Sequence, residues 1–437
     1  MSTNRRNFVR TVGALAAALP FTSLINPAYG AAFNNKLAEI EGLDAMEVAA
    51  DEDFWYYIRN SYTVSPNIIN LNNGGVSPQP KIVQDTFENY NRMSNEAPSY
   101  YMWRILDKGR EGMRQKMAEL AGCEPEELAF NRNATEALGT VIYGLPLKAG
   151  DEVILTKQDY PNMIHAWKLR EKRDGIKLVW LDLKLPMEDD TLIANTFADA
   201  VTSKTRVVHI THIINWVGQI LPSAKIAAAC RKKNSNLEVL VDGAHSFAHI
   251  DYNIPELGGD YFGTSLHKWL CAPFGNGLLW VKRDKIAGLN PIFANDKPDS
   301  DDIKKFETLG TRSFPTEQAT GVALNFHNGI GSKRKEERLR YLKNYWTTKV
   351  KDIKGVKIHT SFKPEYACAL ALFSIEGKKP SEVEAFLFDN YKIHTVGIEW
   401  ELGSISGVRV TPHVYTSLDD LDRLVEAIDK CAKKVSN

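Results

Sequence analysis

The run Leu237-Glu-Val-Leu-Val241 ends at an acid and a glycine, Asp242-Gly243, and this junction constrains the fold more than any other stretch. Val239 to Val241 have the pattern of a buried strand, and a strand that stops at Asp-Gly meets its loop there. Asp242 therefore sits at a strand's carboxyl edge, which in an open α/β sheet is where ligands bind. A second short strand is expected over Asp260-Tyr-Phe-Gly-Thr-Ser265. It delivers His267 and Lys268 to a loop ahead of the Gly/Pro-rich Ala272-Pro-Phe-Gly-Asn-Gly277. An acid and a lysine thus reach one edge of one sheet.

That pair suits pyridoxal 5'-phosphate, which needs a lysine amine to hold its aldehyde as a Schiff base and a carboxylate to keep its ring nitrogen protonated. Taken alone the pair also has an ordinary reading, since strand-end aspartates cap turns and loop lysines are solvated. The company it keeps decides between them. Asp-Gly-Ala-His-Ser246, then Ser265-Leu-His-Lys-Trp269 and Pro273-Phe-Gly-Asn-Gly277, resembles the cofactor-lysine region of class V aminotransferase-fold enzymes. This group holds cysteine desulfurases, isopenicillin N epimerase-like proteins and kynureninase. The resemblance runs from about Asn70 to the C-terminus. It implies an α/β chain of PLP-dependent fold type I (aspartate aminotransferase-like). A large PLP-binding domain, 71–315, would carry a mixed, mainly parallel sheet, and 31–70 with 316–437 would form a smaller α+β domain.

At 437 residues the chain is long enough for two domains with a sizeable core. Lys+Arg and Asp+Glu both number 54, so no global charge draws it to nucleic acid or an anionic membrane. The five cysteines are scattered and odd in number, which fits neither a disulfide framework nor a zinc site. The start of the chain has its own address. Asn4-Arg-Arg-Asn-Phe-Val-Arg10 is a twin-arginine n-region, Val12 to Phe21 a mild apolar stretch, and Ala28-Tyr-Gly30 supplies small residues for cleavage. Residues 1–30 therefore read as a Tat export signal, with the Tat machinery as partner and an extracytoplasmic or periplasmic destination. The apolar run is too short for a stable membrane anchor, and Pro20 interrupts it.

Asn34 to Asn60 is expected to form a helix pair leading into Leu71-Asn-Asn-Gly-Gly-Val-Ser-Pro78, an ordinary turn on spacing alone. Lys81 to Met93 and Trp103 to Ala121 have helical periodicity. Leu128-Ala-Phe-Asn-Arg-Asn-Ala-Thr-Glu-Ala137 is a short strand passing through a polar turn into a helix. That helix's first N–H groups lack intrahelical partners and carry the positive dipole end, so a phosphate gains hydrogen bonds there. Asn133 and Thr135 would equally serve as plain caps. The family resemblance implies that Ala134 and Thr135 hold the cofactor's phosphate, joined by Ser265 and His267. It further implies that Tyr160 stands over the cofactor ring where relatives have a histidine, that Asn215 and His245 lie near the ring oxygen, and that Asn73 and Gly74 face the substrate. His209 and His212 share one expected strand, but no further ligand completes a metal site.

Gly407-Val-Arg-Val-Thr-Pro412 puts Arg409 on a strand between Val408 and Val410, facing away from both, and a guanidinium fork matches an α-carboxylate. A surface ion pair would satisfy the same pattern; the resemblance implies the carboxylate role. It also implies a homodimer in which Thr311 reaches the neighbouring subunit's phosphate. A helix over Thr316–Lys351 and a strand over Ala367–Ile375 are expected beyond it. An amino acid or small peptide is then the substrate, with Lys268, Asp242 and Tyr160 as catalytic residues. Desulfuration needs a cysteine on the loop before Arg409, and Ile398 to Gly407 has none. Epimerisation leads, with transamination and C–S or C–N lysis as rivals; a cofactor-binding protein without turnover is the alternative of another kind.

Overall fold

The computed structural model describes residues 35–293 and 295–433; the twin-arginine segment lies outside them. Strands are numbered β1 to β13 in chain order. Seven of them, β2 (Leu128–Asn131), β3 (Glu152–Thr156), β4 (Lys177–Leu181), β5 (Thr205–Thr211), β6 (Glu238–Asp242), β7 (Tyr261–Ser265) and β8 (Gly277–Val281), form one sheet in the order β2-β8-β7-β6-β5-β3-β4. Only β8 runs against the rest, pairing antiparallel with both β2 and β7. The sheet is thus mixed and mainly parallel, and its strands read as continuous apolar runs because both faces are covered. From β3 the chain moves outward to β4, then returns past β3 to lay down β5, β6 and β7 on the other side. The β3/β5 gap is therefore a topological switch point, where a crevice opens outside the carboxyl ends.

A second, four-stranded antiparallel sheet has the order β12 (Val396–Trp400), β13 (Ile405–Val410), β10 (Ala371–Ile375), β9 (Val356–Ile358). Val408 and Val410 pack into a core with Trp346 and Phe373, which turns Arg409 to the opposite face, as the alternation predicts. The short strand β1 (Ile69–Asn70) pairs parallel with β11 (Ile393–His394), more than three hundred residues later in the chain. This pairing holds the Leu71–Gly75 turn beside the end of β13, where Thr411 donates its N–H to the Leu71 carbonyl at 2.7 Å.

The structure departs from expectation in places with local causes. The helix expected over Thr316–Lys351 is two helices, Phe314–Ile330 and Ser332–Val350, because Gly331 between them takes φ +93°. The first packs chiefly on Lys81–Glu96 and Gly109–Ala121, helices assigned to the large domain. The strand expected from Ala367 begins at Ala371. Glu307 ties the turn before Phe314 to the sheet, accepting from the Phe130 N–H at 2.8 Å and from the buried Arg114 at 2.8 Å. At Gly277 a Cβ would fall 2.6 Å from the Asn133 Cα, so only glycine lets β8 pass this close to the turn that opens helix Ala134–Gly144. Among the described residues no helix is long and apolar enough to cross a membrane, and no group of His, Cys, Asp and Glu could hold a metal ion.

Candidate active site

The carboxyl edge of the large sheet opens into a cavity of about 370 Å³. Thr211 comes to it from the end of β5, Asp242 from β6, Ser265 and Lys268 from β7, and Tyr160 from the loop after β3. Gly74 and Gly75 enter from the turn after β1, and Arg409 from β13. Ala134, Thr135, Asn215, His245 and His267 complete the set read from the sequence.

Two residues of that set lie elsewhere. Asn73 is fully buried behind the turn, where its amide donates to the Thr411 carbonyl at 2.9 Å and accepts from the Tyr415 hydroxyl at 2.5 Å. It shapes the glycine turn from behind, and Gly75 lines the cavity in its place. Thr311 sits on an exposed turn in a separate cleft of about 490 Å³, beside Arg132, Phe274 and Arg312, and does not reach the cavity of its own chain.

Lys268 follows the last residues of β7, and its Nζ lies 3.1 Å from Nε2 of His245. Burial is the largest influence on it and pulls its ammonium down to about 8; Arg409 acts in the same direction, and Asp242 opposes both. Burial also holds His245 well below the usual imidazole range, which favours the neutral ring. An amine attacks an aldehyde only in its neutral form. Capture of an aldehyde cofactor by the apo-protein is therefore expected to accelerate with pH through about 8, not through the ordinary lysine value of 10.5. Stopped-flow absorbance would show this, and a rate still climbing steeply above about pH 10 would contradict it.

Asp242 is buried, and its Oδ1 accepts the Ala244 N–H at 2.9 Å. Burial pushes its carboxyl up, while His209, that hydrogen bond and Lys268 pull it down. A carboxylate in this position is stabilised by a protonated base placed before it, which is what a pyridine nitrogen supplies. His209, on neighbouring β5, pairs with the Trp167 indole N–H at 3.3 Å, and burial takes it down to about 4. Behind Tyr160, the buried Asp159 accepts from the Thr211 hydroxyl at 2.7 Å and from the Thr156 N–H at 2.7 Å, which fixes the loop that presents the tyrosine.

Helix Ala134–Gly144 points its N-terminus at the cavity. Asn133 is its cap, accepting from the Glu136 N–H at 3.0 Å, so the plain capping reading holds for Asn133. Thr135 is exposed at the cavity, and the Ala134 N–H donates to the Ser265 hydroxyl at 2.8 Å. A helix N-terminus ringed by two hydroxyls is a fitting phosphate cradle. Across the cavity, the buried Arg409 donates to the Asn215 carbonyl at 2.9 Å and to Asn72 Oδ1 at 3.0 Å. No carboxylate pairs with it among the described residues, and burial pulls it down to about 10. A buried guanidinium without a counter-ion is a receptor for an anion. The amine, acid, phosphate cradle and unpaired guanidinium in one cavity fit a pyridoxal-type cofactor with an amino-acid carboxylate beside it.

Sequence reasoning missed Thr211, Met163, Leu138 and Trp216, which also line the cavity. Trp216 stacks on Trp400, with ring centroids 5.2 Å apart and planes 17° from parallel. Its neighbour Asn215 was the only signal near it.

Comparison with known proteins gives the family and the fold. The family model described as Aminotransferase class-V matches residues 69–424. Isopenicillin N epimerase of Amycolatopsis lactamdurans is 27% identical over 402 residues, covering 87% of this chain and 99% of that protein. A probable cysteine desulfurase of Halalkalibacterium halodurans is 26% identical over 387 residues, covering 83% of this chain and 93% of its own length. Among solved structures, a C-DES mutant with glycine covalently linked to its PLP cofactor superposes with a TM-score of 0.76 at 22% identity, over 85% of this chain and 98% of that one.

Proposed function

This chain belongs to the class-V aminotransferase family, and from that premise we propose that it epimerises or racemises an amino acid or small peptide at the α-carbon next to a free α-amino group. Its cofactor is pyridoxal 5'-phosphate. Bound, this cofactor withdraws electrons from the α-carbon and so makes its proton acidic. Lys268 would hold the cofactor's aldehyde and would serve as the base for the α-proton; its depressed pKa keeps it competent near neutral pH. Asp242 keeps the ring nitrogen protonated. Ala134, Thr135, Ser265 and His267 take the phosphate, Asn215 and His245 the ring oxygen, and Arg409 the substrate carboxylate.

What supports inversion is that two groups able to carry a proton, Lys268 and Tyr160, line the same cavity. Lys268 reaches the cavity from the β7 side and Tyr160 from the β3 side, with β6 and β5 between them in the sheet. One removes a proton from one face of the α-carbon, and the other returns it to the opposite face. The likeness to a cysteine desulfurase supports a second reading, C–S lysis. Against its persulfide form, no cysteine lines the cavity among the described residues, and Cys368 is buried with its Sγ on the Glu336 carbonyl. Incubating the holoenzyme with amino acids and short peptides in D₂O decides. Deuterium at the α-carbon with inverted configuration supports epimerisation; keto-acid or sulfur release, or amine transfer, sinks it in favour of lysis or transamination. No exchange across the panel leaves a cofactor-binding protein without turnover.

The homodimer and the export route belong to the same proposal. If Thr311 completes the partner's phosphate site, losing its hydrogen bond weakens cofactor binding there by about 1.5–3 kcal/mol, roughly ten- to a hundredfold. In a mixed dimer of Thr311→Ala with Lys268→Ala, the one lysine-competent site borrows an intact Thr311 and should hold cofactor normally. Weak cofactor binding in that dimer would reject the assignment. For export, replacing Arg5 and Arg6 with lysine should retain a cofactor-loaded protein in the cytoplasm, and unchanged extracytoplasmic accumulation would rule out the Tat route.

A further inference from the structure

From one wall of the cavity we infer that the substrate carries a large, uncharged, apolar side chain, aromatic ones best, and that Trp216 selects it. This inference rests on the proposed amino-acid chemistry and adds the identity of the side chain. Trp216 follows Asn215, whose carbonyl anchors Arg409 at 2.9 Å, so the indole stands one residue from the group that takes the carboxylate. Its Nε1 is buried and makes no hydrogen bond in the structure; what the half-buried ring offers to the cavity is carbon.

The wall is rigid because Trp400 braces it. The Trp400 ring stacks on Trp216, and its Nε1 donates to the Lys157 carbonyl at 2.7 Å, in the loop that leads to Tyr160. Gly403 closes over Trp400, where a Cβ would lie 2.8 Å from the indole Cδ1, and the Gly403 carbonyl accepts from Gln158 at 3.3 Å. Trp216 is therefore held between the loop carrying Tyr160 and the loop entering Arg409's strand. Met163 adds a second apolar surface to the cavity.

The charges in the cavity point the same way. Among the described residues that line it, Asp242, Lys268 and Arg409 are the only Asp, Glu, Lys or Arg, and each has a proposed role in holding cofactor or substrate. His245 and His267 line it too, both pulled down by burial. An acidic or basic substrate side chain would enter without a counter-charge, whereas an apolar one would cover an indole face.

The test is titration of the holoenzyme with L-phenylalanine, L-leucine, L-alanine, L-cysteine, L-aspartate and L-lysine, following the visible absorbance of the bound cofactor to obtain dissociation constants. Phenylalanine and leucine should bind at least about tenfold tighter than alanine, the scale on which apolar pockets discriminate, and the two charged amino acids more weakly than alanine. In Trp216→Ala the ratio of the phenylalanine to the alanine constant should collapse to within about threefold, while Trp216→Phe, which keeps a ring, should retain most of it. Trp400→Ala should lower the ratio without touching ligand. A wild-type protein that binds alanine, cysteine or aspartate as tightly as phenylalanine overturns the inference, and so does a Trp216→Ala variant that keeps the preference. In both cases amino-acid binding itself stands. If no amino acid in the panel perturbs the absorbance, the amino-acid reading falls and this inference with it.

Discussion

A Lys268→Ala chain is expected to fold, to bind pyridoxal phosphate reversibly, and to lose both borohydride-fixable cofactor and turnover. The fall in rate should reach about ten-thousandfold, the upper end of what a positioned general base contributes, since the same side chain both holds the cofactor and moves the proton. Titration behaviour alone would not single this lysine out. Burial pulls three lysines, Lys268, Lys335 and Lys343, down to about 8. Lys335 donates to the Trp269 carbonyl and Lys343 to the Ser361 carbonyl at 3.0 Å, and neither lines the cavity. Geometry decides among these three buried lysines. Peptide mapping of the borohydride-reduced wild-type protein should find the pyridoxyl group on Lys268, and an adduct on Lys335 would move the active site to a different part of the molecule. Folding should survive, because the substitution removes a partly buried cation that burial disfavours and leaves His245 Nε2 beside a cavity open to water.

The residues legible in the sequence are those whose role follows from a strand or helix end. Asp242, Ser265 and Lys268 end or follow strands, and Ala134 and Thr135 open a helix; each carries its address in a few neighbouring residues. For Arg409 the alternation with Val408 and Val410 gave the face it points to, while a surface ion pair fitted the pattern as well and only the resemblance suggested a carboxylate. Trp216 was not legible, because its importance lies in a stack with Trp400, which belongs to the other sheet and is far away in sequence. Thr211 was hidden for a similar reason. It is one more residue of a strand until its pairing with Asp242 in the sheet and its hydrogen bond to Asp159 are seen. Asn73 shows the opposite failure. The family resemblance, not the turn's own spacing, suggested that it faces ligand, but the Thr411 carbonyl and Tyr415 hydroxyl, more than three hundred residues away in the chain, turn its amide inward. Gly331 could have been read as a helix end, since glycine readily takes the positive φ found there, yet the apolar periodicity continued across it.

Arg409→Ala is expected to weaken substrate binding by about 2–5 kcal/mol, roughly thirty- to several-thousand-fold, while leaving the cofactor's absorbance intact. The argument rests on what Arg409 lacks. Its two hydrogen-bond partners, the Asn215 carbonyl and Asn72 Oδ1, are neutral, and no carboxylate neutralises it among the described residues. Burial lowers its pKa from 12.5 to about 10, so the folded state binds this proton less firmly than the unfolded chain does. The sign follows: below about pH 10 the charged group costs the folded state stability, and the cost fades only as pH rises toward 12.5. A residue that burdens the fold in this way is explained by an anionic ligand that relieves the burden when it binds. Affinity should therefore fall without a loss of stability. The dissociation constant for an amino acid should rise steeply in Arg409→Ala, and the melting temperature of the ligand-free protein should hold or increase. Arg409→Lys should fall between, keeping the charge but losing the two-pronged match to a carboxylate. A melting temperature that drops by many degrees with substrate affinity unchanged would make Arg409 a structural tie between the two sheets, and the carboxylate assignment would be wrong.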